Sequence, residues 1–166
     1  MSPNPARRPP PRLVVRPAVR GDLDALIELE HRVFATDQLS RRSLRRLLTS
    51  PTARVIVAEV GGHLAGAAVV LFRLRSGVAR LYSIGVTPRH SGQGIGPALL
   101  AAVETAAVAR KCRCIRLEVH QSNRVAIARY RTTGYRQFGR HAAYYEDGGD
   151  ALRFEKPLAP ARRPRK

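Results

Sequence analysis

A glycine-rich turn is the stretch of this 166-residue chain whose residue types and spacing point most directly to chemistry. Gly92, Gly94 and Gly96 occupy alternate positions between an apolar, β-rich run that ends at Val86 and an apolar helical segment that opens with Pro97. The first N–H groups of a helix have no partner inside the helix, and the helix dipole favours negative charge there. Because glycines let the backbone approach a ligand closely, the turn predicts a phosphate-binding site.

Two common nucleotide-binding patterns do not fit this turn. One feature fits a dinucleotide fingerprint, because Glu118 lies about 20 residues beyond the glycines, where a ribose-binding acid is expected. The fingerprint would, however, need a further glycine at Pro97 or Leu99, and its strand would have to be the first of a βαβ unit. A mononucleotide P-loop would need Lys followed by Ser or Thr after the glycines, and that pair does not follow. The turn is therefore interpreted as an anion site of another kind.

The elements that must position the turn follow from hydrophobic periodicity, caps and turn signals. The predicted strands are 13–16, 54–60, 64–74, 78–86, 115–119, 135–139 and 152–156. The predicted helices are 22–34, 40–48, 97–110 and 123–134. The helical crossover between strands 78–86 and 115–119 makes those two strands parallel, whereas the others are joined as hairpins. The predicted fold is α+β, with a central mixed sheet of about six or seven strands, one parallel pair and about four flanking helices.

The sequence Ser91-Gly92-Gln93-Gly94-Ile95-Gly96 resembles the motif of the GNAT superfamily of acetyl-CoA-dependent N-acetyltransferases, Arg/Gln-x-x-Gly-x-Gly/Ala. The same order of strand, turn, crossover, strand end and helix extends the resemblance to residues 13–158. It implies the GNAT fold, in which the two central parallel strands splay apart and the pantetheine arm of the cofactor fills the gap. Residues 1–12 and 159–166, rich in Pro and Arg, are predicted to be flexible tails outside this domain.

The resemblance implies acetyl-CoA as the acetyl donor and assigns residues to it. The backbone of the strand end would bind pantetheine, with the Val86 N–H near the thioester oxygen, and the turn would hold the pyrophosphate. Ser91 stands where the family usually has Arg or Gln, so a side-chain contact to the pyrophosphate is lost unless Arg89 compensates. The implied cofactor-binding residues are Ile84, Gly85, Val86, Ser91, Gly92, Gln93, Gly94, Ile95, Gly96, Pro97 and Asn123.

A narrower resemblance concerns the acetyl acceptor. The segments 117–123, 126–130 and 134–135 are similar to those of the bacterial ribosomal-protein alanine N-terminal acetyltransferases. Tyr144 and Tyr145 match tyrosines that embrace a peptide terminus in such enzymes, and Phe34 begins a connection, 34–39, that would line the acceptor entrance. The implied partner is the N-terminus of a protein or peptide, with a ribosomal protein as the expected substrate.

For the acetyl transfer that this resemblance implies, two residues are candidates for catalysis. Glu118 would act as general base, directly or through a water, and Tyr130 as general acid to the CoA sulfur. Tyr130 follows Asn123 by two helical turns, so both face one cleft. Two alternatives remain open: Glu118 as an ion-pair partner of an arginine such as Arg116 or Arg124, and Tyr130 as a packing residue whose hydroxyl bonds a carbonyl.

The histidines carry no metal-ligand spacing, and His120 alone is retained as a second candidate base. Cys112 and Cys114 lie too close together for a relaxed disulfide and are too few for a zinc site, so they are interpreted as reduced core or junction residues. No metal is expected.

Composition limits the class of protein. The formal net charge is +18, but aromatic residues make up only 5% and are not interleaved with the basic ones, so nucleic acid is expected to bind by nonspecific charge alone. The apolar runs fall short of the ~20 residues of a membrane span, and the first residues do not resemble a signal segment, which makes a cytoplasmic protein the expectation.

Two other functions remain open. One is acetylation of a small-molecule amine or of lysine on the same fold, because the scaffold fixes the donor and leaves the acceptor to loops. The other is a ribosome- or RNA-associated module that binds CoA without catalysis.

Overall fold

A computed structural model describes residues 8–159, in which a seven-stranded sheet is covered by helices on both faces. The strands are β1 (Leu13–Pro17), β2 (Ala53–Val60), β3 (His63–Phe72), β4 (Val78–Val86), β5 (Cys114–His120), β6 (Arg136–His141) and β7 (Ala151–Pro157). The helices are α1 (Leu23–Val33), α2 (Arg41–Thr49), α3 (Ile95–Ala109) and α4 (Arg124–Thr132). Short 3-10 turns occupy Arg20–Asp22 and Pro88–His90.

The sheet order is β1-β2-β3-β4-β5-β7-β6, and only β4 and β5 pair in parallel. The predicted mixed sheet with one parallel pair is therefore confirmed. Helix α3 forms the crossover between these two strands, so its N-terminus lies at the end of β4. The last two strands form an antiparallel hairpin whose second strand, β7, pairs with β5, which leaves β6 at the edge of the sheet.

Strands β2 and β3 are buried on both faces, and this burial explains their continuous apolar sequences. In β2, Val55 and Val57 pack with α1 and α2 on one face, whereas Ile56 and Ala58 pack with α3 on the other. The same alternation continues in β3, because successive side chains of a strand point to opposite faces. The sheet is thus the middle layer of three.

The predicted elements are all present, and their ends differ by at most about two residues. Helix α3 was predicted to open with Pro97, which is wrong: it begins at Ile95, with Gly94 as its N-cap at φ 80°. Glycine tolerates this left-handed conformation, so the helix starts earlier. Pro97 still lies in the first turn, where its missing N–H breaks no helical hydrogen bond.

Caps explain the starts of two other helices. Ser40 and Asn123 accept hydrogen bonds from the backbone N–H groups of Ser43 and Ala126, as predicted for N-caps. Asp22 precedes α1 as predicted, but its carboxylate accepts from the Val19 N–H and therefore caps the preceding 3-10 turn instead of α1.

The remaining predictions concern the two cysteines, membrane spans and the two ends of the chain. Cys112 and Cys114 are both half-buried free thiols. No helix within residues 8–159 is long and apolar enough to cross a membrane. Residues 8–12 are exposed, and the rest of the first predicted tail, like residues 160–166 of the second, lies outside the described residues.

Candidate active site

The two parallel strands separate before they end. Strand β4 continues to Val86 and β5 to His120, but their pairing stops at Leu81 and Leu117. The cause is a β-bulge in β4, where Tyr82 is the extra residue between the positions that pair with β3. Because a bulge bends its strand and increases the local twist, the end of β4 leaves β5 and opens a gap in the sheet.

A cleft of about 1110 Å³ extends from this gap to the N-terminus of α3 and to the loop between β6 and β7. It is lined by almost all of the residues that the sequence singled out: Phe34, Ile84, Gly85, Val86, Ser91, Gly92, Gly94, Ile95, Gly96, Pro97, Glu118, Asn123, Tyr130, Tyr144 and Tyr145. Gln93 is the exception, because it is exposed and does not line the cleft.

The backbone at the end of β4 offers a hydrogen-bond donor to the gap. The Thr87 N–H donates to the Ala65 carbonyl of β3 at 2.8 Å. Successive N–H groups of an extended strand point to opposite edges, so the Val86 N–H points away from β3 and toward the gap. This is the orientation that an oxyanion donor at Val86 requires.

The glycine turn has the conformation that the sequence predicts. Gly92 and Gly94 have φ values of 76° and 80°, which other residues rarely adopt. The N–H groups of Ile95 and Gly96 lie in the first turn of α3, where a helix supplies no acceptor. The turn and the helix end thus present free N–H groups and the positive end of the α3 dipole to one end of the cleft.

Glu118 lies deep in the cleft, with its side chain 14% exposed, and two arginines approach it. Arg80 Nε donates to Oε2 at 3.2 Å, and Arg153 Nε lies 3.9 Å from Oε1. Glu118 thus pairs with arginines other than Arg116 and Arg124, which the sequence suggested. Arg116 instead binds Glu155. Within residues 8–159, Oε1 makes no hydrogen bond.

Tyr130 is 6% exposed, and its ring packs edge-on against Tyr135 at 5.5 Å between centroids. Burial raises the pKa of its hydroxyl to about 12, and the nearby positive charge of Arg129 partly offsets this. Its hydroxyl accordingly keeps its proton at neutral pH. That state is the one a general acid needs before it reacts.

His120, the second candidate base, is already engaged at both ring nitrogens. Nδ1 accepts from the Ser122 backbone N–H at 3.1 Å, and Nε2 lies 2.8 Å from Asp147 Oδ2. An acceptor at Nδ1 requires the proton to be on Nε2, where it is donated to Asp147. The ring has no free lone pair for a substrate, and the arrangement favours a structural role in the loop between β6 and β7.

One tyrosine of that loop, Tyr144, is joined to Glu118 through an arginine that the sequence did not single out. Arg80 Nη2 donates to the Tyr144 hydroxyl at 3.3 Å while Nε binds Glu118. Burial, and then the neighbouring Tyr144, Glu118 and Asp37, raise the pKa of Tyr145 to about 12. Residues of both loops, 34–39 and 142–149, line the cleft that contains this carboxylate.

Phe34 is brought to the cleft by a glycine on the facing strand. A Cβ at Gly85 would lie 2.5 Å from Val33 Cγ1 and 3.0 Å from the Phe34 ring, so only glycine allows α1 and its following loop to approach β4 this closely. Glu30, 5% exposed on α1, holds the same loop by accepting from the Leu39 N–H at 2.8 Å.

Sequence reasoning missed Arg80 and Arg129, both of which line the cleft. Arg80 had a usable signal: it lies on the strand predicted to pair with that of Glu118, and it pairs in register with Arg116, two residues before the glutamate. Arg129 also had one, since it precedes Tyr130 on a helix predicted to face the cleft. Asp37 lies in the connection 34–39 that was predicted to line the acceptor entrance, and Glu146 follows the two tyrosines; both line the cleft.

Comparison with known proteins agrees with this geometry. Residues 23–135 match the model of the acetyltransferase (GNAT) family. The N-alpha-acetyltransferase RimI of Mycobacterium tuberculosis is 33% identical over 136 residues, which cover 80% of this chain and 84% of that protein. The crystal structure of the ribosomal-protein-S18-alanine N-acetyltransferase of Escherichia coli superposes with a TM-score of 0.81 at 26% identity, covering 93% of this chain and 99% of that one.

A nourseothricin acetyltransferase has the same fold, with a TM-score of 0.73 and 27% identity over 89% of this chain and 99% of its own. Proteins with different acceptors in their names therefore share this scaffold. What the comparison shows them to share with this chain is the overall fold. On the match over most of the domain, the chain belongs to the GNAT family of acetyltransferases and takes its acetyl group from acetyl-CoA.

Proposed function

We propose that this enzyme acetylates the α-amine at the N-terminus of a protein, with a ribosomal protein as its substrate. The observation that carries the proposal is the link from Tyr144 through Arg80 to Glu118. It connects the loop suited to a peptide terminus with the carboxylate that is suited to take a proton from an amine. The names of the relatives, which specify protein N-terminal acetylation, support the same acceptor.

The cleft fits acetyl-CoA in its shape and its polar groups. The glycine turn and the α3 N-terminus suit a diphosphate, and the unpaired edge of β4 at Ile84, Gly85 and Val86 suits an extended amide-containing arm. When bound, acetyl-CoA supplies an activated acyl group and a thiolate leaving group. The protein residues around it then have three tasks: to make the amine neutral, to stabilise charge on the acyl oxygen and to protonate the departing sulfur.

We assign the first task to Glu118. An N-terminal α-amine has a pKa of about 8, so most of it is protonated at neutral pH. Oε1 of Glu118, which makes no hydrogen bond within residues 8–159, takes the proton from the ammonium group directly or through a water. Arg80, bound to Oε2, orients the carboxylate.

We assign the other two tasks to the Val86 N–H and to Tyr130. The Val86 N–H points into the gap and donates to the acyl oxygen, where negative charge develops. The Tyr130 hydroxyl, protonated at neutral pH because burial raises its pKa to about 12, gives its proton to the sulfur. Asn123 caps α4 and also lines the cleft, and we assign it to the part of the cleft that holds acetyl-CoA.

The acceptor end of the cleft carries negative charge that suits an ammonium group. Asp37, Glu118 and Glu146 all line it, and Arg80 is bound to one of them. Cations are attracted to such a group of carboxylates, particularly where low-dielectric walls concentrate the field. A small polyamine or aminoglycoside would be attracted as well, so charge alone does not select the peptide.

A panel of acceptors with labelled acetyl-CoA tests the proposal. It contains a short peptide that begins with alanine, the same peptide with a blocked N-terminus and an internal lysine, spermidine and an aminoglycoside. We expect label in the free-terminus peptide alone, at a position that mass spectrometry assigns to the α-amine. Rapid turnover of spermidine or the aminoglycoside, with none of the peptide, would overturn the proposed acceptor.

A further inference from the structure

An arginine of α4 rests against the N-terminus of α3. A Cβ placed on Gly96 would lie 2.6 Å from Arg129 Nη1 and 3.2 Å from its Cζ. Gly96 has an ordinary helical φ, so the conformation of the backbone does not require glycine there. A methyl group at this position would occupy the space that the guanidinium now fills. Arg129 is half-buried and lines the cleft beside the glycine turn.

The position of this guanidinium is electrostatically unusual. All twelve acidic side chains of the chain lie within residues 8–159, and none forms an ion pair with Arg129. The feature that it faces, the N-terminus of α3, is itself the positive end of a helix dipole. Two positive groups that share one space repel each other unless an anion lies between them.

Ser91 of the turn lines the cleft and can donate a hydrogen bond, but it carries no positive charge. Arg89, the neighbouring arginine in sequence, is exposed on the 3-10 turn Pro88–His90 and does not line the cleft. Arg129 does line it, and a guanidinium offers a planar set of N–H donors that matches two phosphate oxygens at once.

We propose that Arg129 binds the diphosphate of CoA and supplies the cation that the glycine turn lacks. The backbone N–H groups at the start of α3 and the guanidinium then hold the same anion from two sides. Because Gly96 has no side chain, the guanidinium can lie against the start of α3. The proposal concerns the donor alone and is independent of which amine the enzyme acetylates.

Calorimetric titration with CoA, in the absence of any acceptor, measures this contribution directly. The variants are Arg129→Gln and, as a control, Arg131→Gln, which removes the same charge from an exposed position of the same helix. A charge-assisted hydrogen bond contributes enough that its loss weakens binding by about tenfold to a hundredfold. We expect that loss for Arg129→Gln and a change of less than about twofold for Arg131→Gln.

Ligands that lack particular phosphates locate the contact. Dephospho-CoA, which retains the diphosphate but lacks the 3′-phosphate, should show the same fold-loss in Arg129→Gln as CoA does. Pantetheine, which lacks both, should bind the variant and the wild type equally. A loss that disappears with dephospho-CoA, or one that persists with pantetheine, would overturn the assignment to the diphosphate.

Gly96→Ala gives a second test that leaves the arginine in place. The added methyl group would displace the guanidinium, so CoA binding should weaken in the wild-type background and change little further in Arg129→Gln. Thermal unfolding of each variant confirms that the protein is folded. Three results would each contradict the proposal. They are an equal effect of Gly96→Ala in both backgrounds, an unchanged CoA affinity in folded Arg129→Gln, and a loss of CoA affinity in Arg89→Gln instead.

Discussion

In the donor half of the cleft, the groups offered to a ligand come from the backbone. They are the edge of β4 at 84–86, two glycines with positive φ and the free N–H groups at the start of α3. In the acceptor half, the groups come from side chains on four separate segments, namely Asp37, Arg80, Glu118, Tyr144 and Tyr145. A backbone site depends on conformation, so any sequence that keeps the conformation keeps the site. A side-chain site depends on each residue, so it can be changed for another acceptor.

This contrast agrees with the relatives of the chain. Structures with as little as 26–27% identity keep the fold that forms the donor half, although their names specify a ribosomal protein in one case and nourseothricin in the other. Substitutions should accordingly fall into two classes: changes of side-chain atoms near Glu118 should affect turnover, and changes of backbone conformation should affect CoA affinity. Arg129, which we propose binds the diphosphate, adds a charged side chain to the donor half.

The largest effect should come from Tyr130, which lies between the two halves. Tyr130→Phe removes the proposed acid and should lower kcat by about a hundredfold, the lower end of the range for general acid catalysis, while CoA affinity stays the same. Steady-state kinetics and a CoA titration measure the two quantities.

Tyr135→Phe is the matched control. Its hydroxyl donates to the carboxylate of Glu104 at 3.0 Å, so its loss should lower the free energy of unfolding by about 1.5–3 kcal/mol and leave kcat unchanged. A Tyr130→Phe enzyme with wild-type kcat would remove Tyr130 from catalysis.

A smaller effect is expected for Glu118→Gln. At pH 7 only about a tenth of an α-amine of pKa ~8 is neutral, so loss of the base should lower kcat/KM about tenfold. The defect should shrink as the pH rises and the amine loses its proton unaided. A pH profile of both enzymes tests this, with Glu155→Gln as the control, since Glu155 binds Arg116 on the neighbouring strands and does not line the cleft. A defect that is constant from pH 7 to pH 9 would argue against the base role.

Gly94→Ala tests the donor half through its backbone. A left-handed conformation costs an L-residue about 1–2 kcal/mol, so the variant should lose roughly that much stability and bind CoA several-fold more weakly, with kcat at saturation retained. Gly21→Ala serves as the control, because its φ is not positive and nothing lies within 4 Å of the added methyl group. If kcat fell while CoA affinity stayed constant, the division into two halves would be wrong.

The smallest effect concerns the loop of the acceptor half that Glu30 holds. Burial raises the pKa of Glu30, so the folded protein binds this proton more tightly than the unfolded chain does. Its contribution to stability therefore falls as pH rises from the ordinary pKa of 4.5 through the raised value. Glutamine can still accept from the Leu39 N–H but carries no charge.

Urea unfolding near pH 4 and pH 7 should accordingly show that Glu30→Gln gains stability relative to the wild type as the pH rises, with an unchanged KM for the acceptor. A stability difference that does not vary with pH would contradict the buried-charge explanation.

The same contrast explains what the sequence could predict. The donor half is contiguous in sequence, and its glycines, its strand and its helix cap are local signals, so its position in the fold was predicted to within two residues. The error at Pro97 arose because a proline suits several positions of a first turn, whereas the left-handed Gly94 determines where α3 begins. Gln93 was included as part of the motif, but a side chain between two left-handed glycines points to solvent.

The acceptor half could be predicted only in part. Glu118 and the two tyrosines were predicted with the help of a family resemblance, and all three line the cleft. Arg80 was not predicted, because it is separated from Glu118 by 38 residues and from Tyr144 by 64. Contacts of that range depend on strand register and loop path, which one sequence does not specify. The engagement of His120 with Asp147 was missed for the same reason.

Mass spectrometry of protein N-termini, compared between a strain that lacks this protein and its parent, tests the proposed acceptor most directly. We predict that a small set of N-termini, with a ribosomal protein among them, loses its acetyl group in the deletion strain and regains it with the wild-type gene but not with Tyr130→Phe. Identical N-terminal acetylation in both strains would contradict the account, because the acceptor half would then serve an amine other than a protein N-terminus.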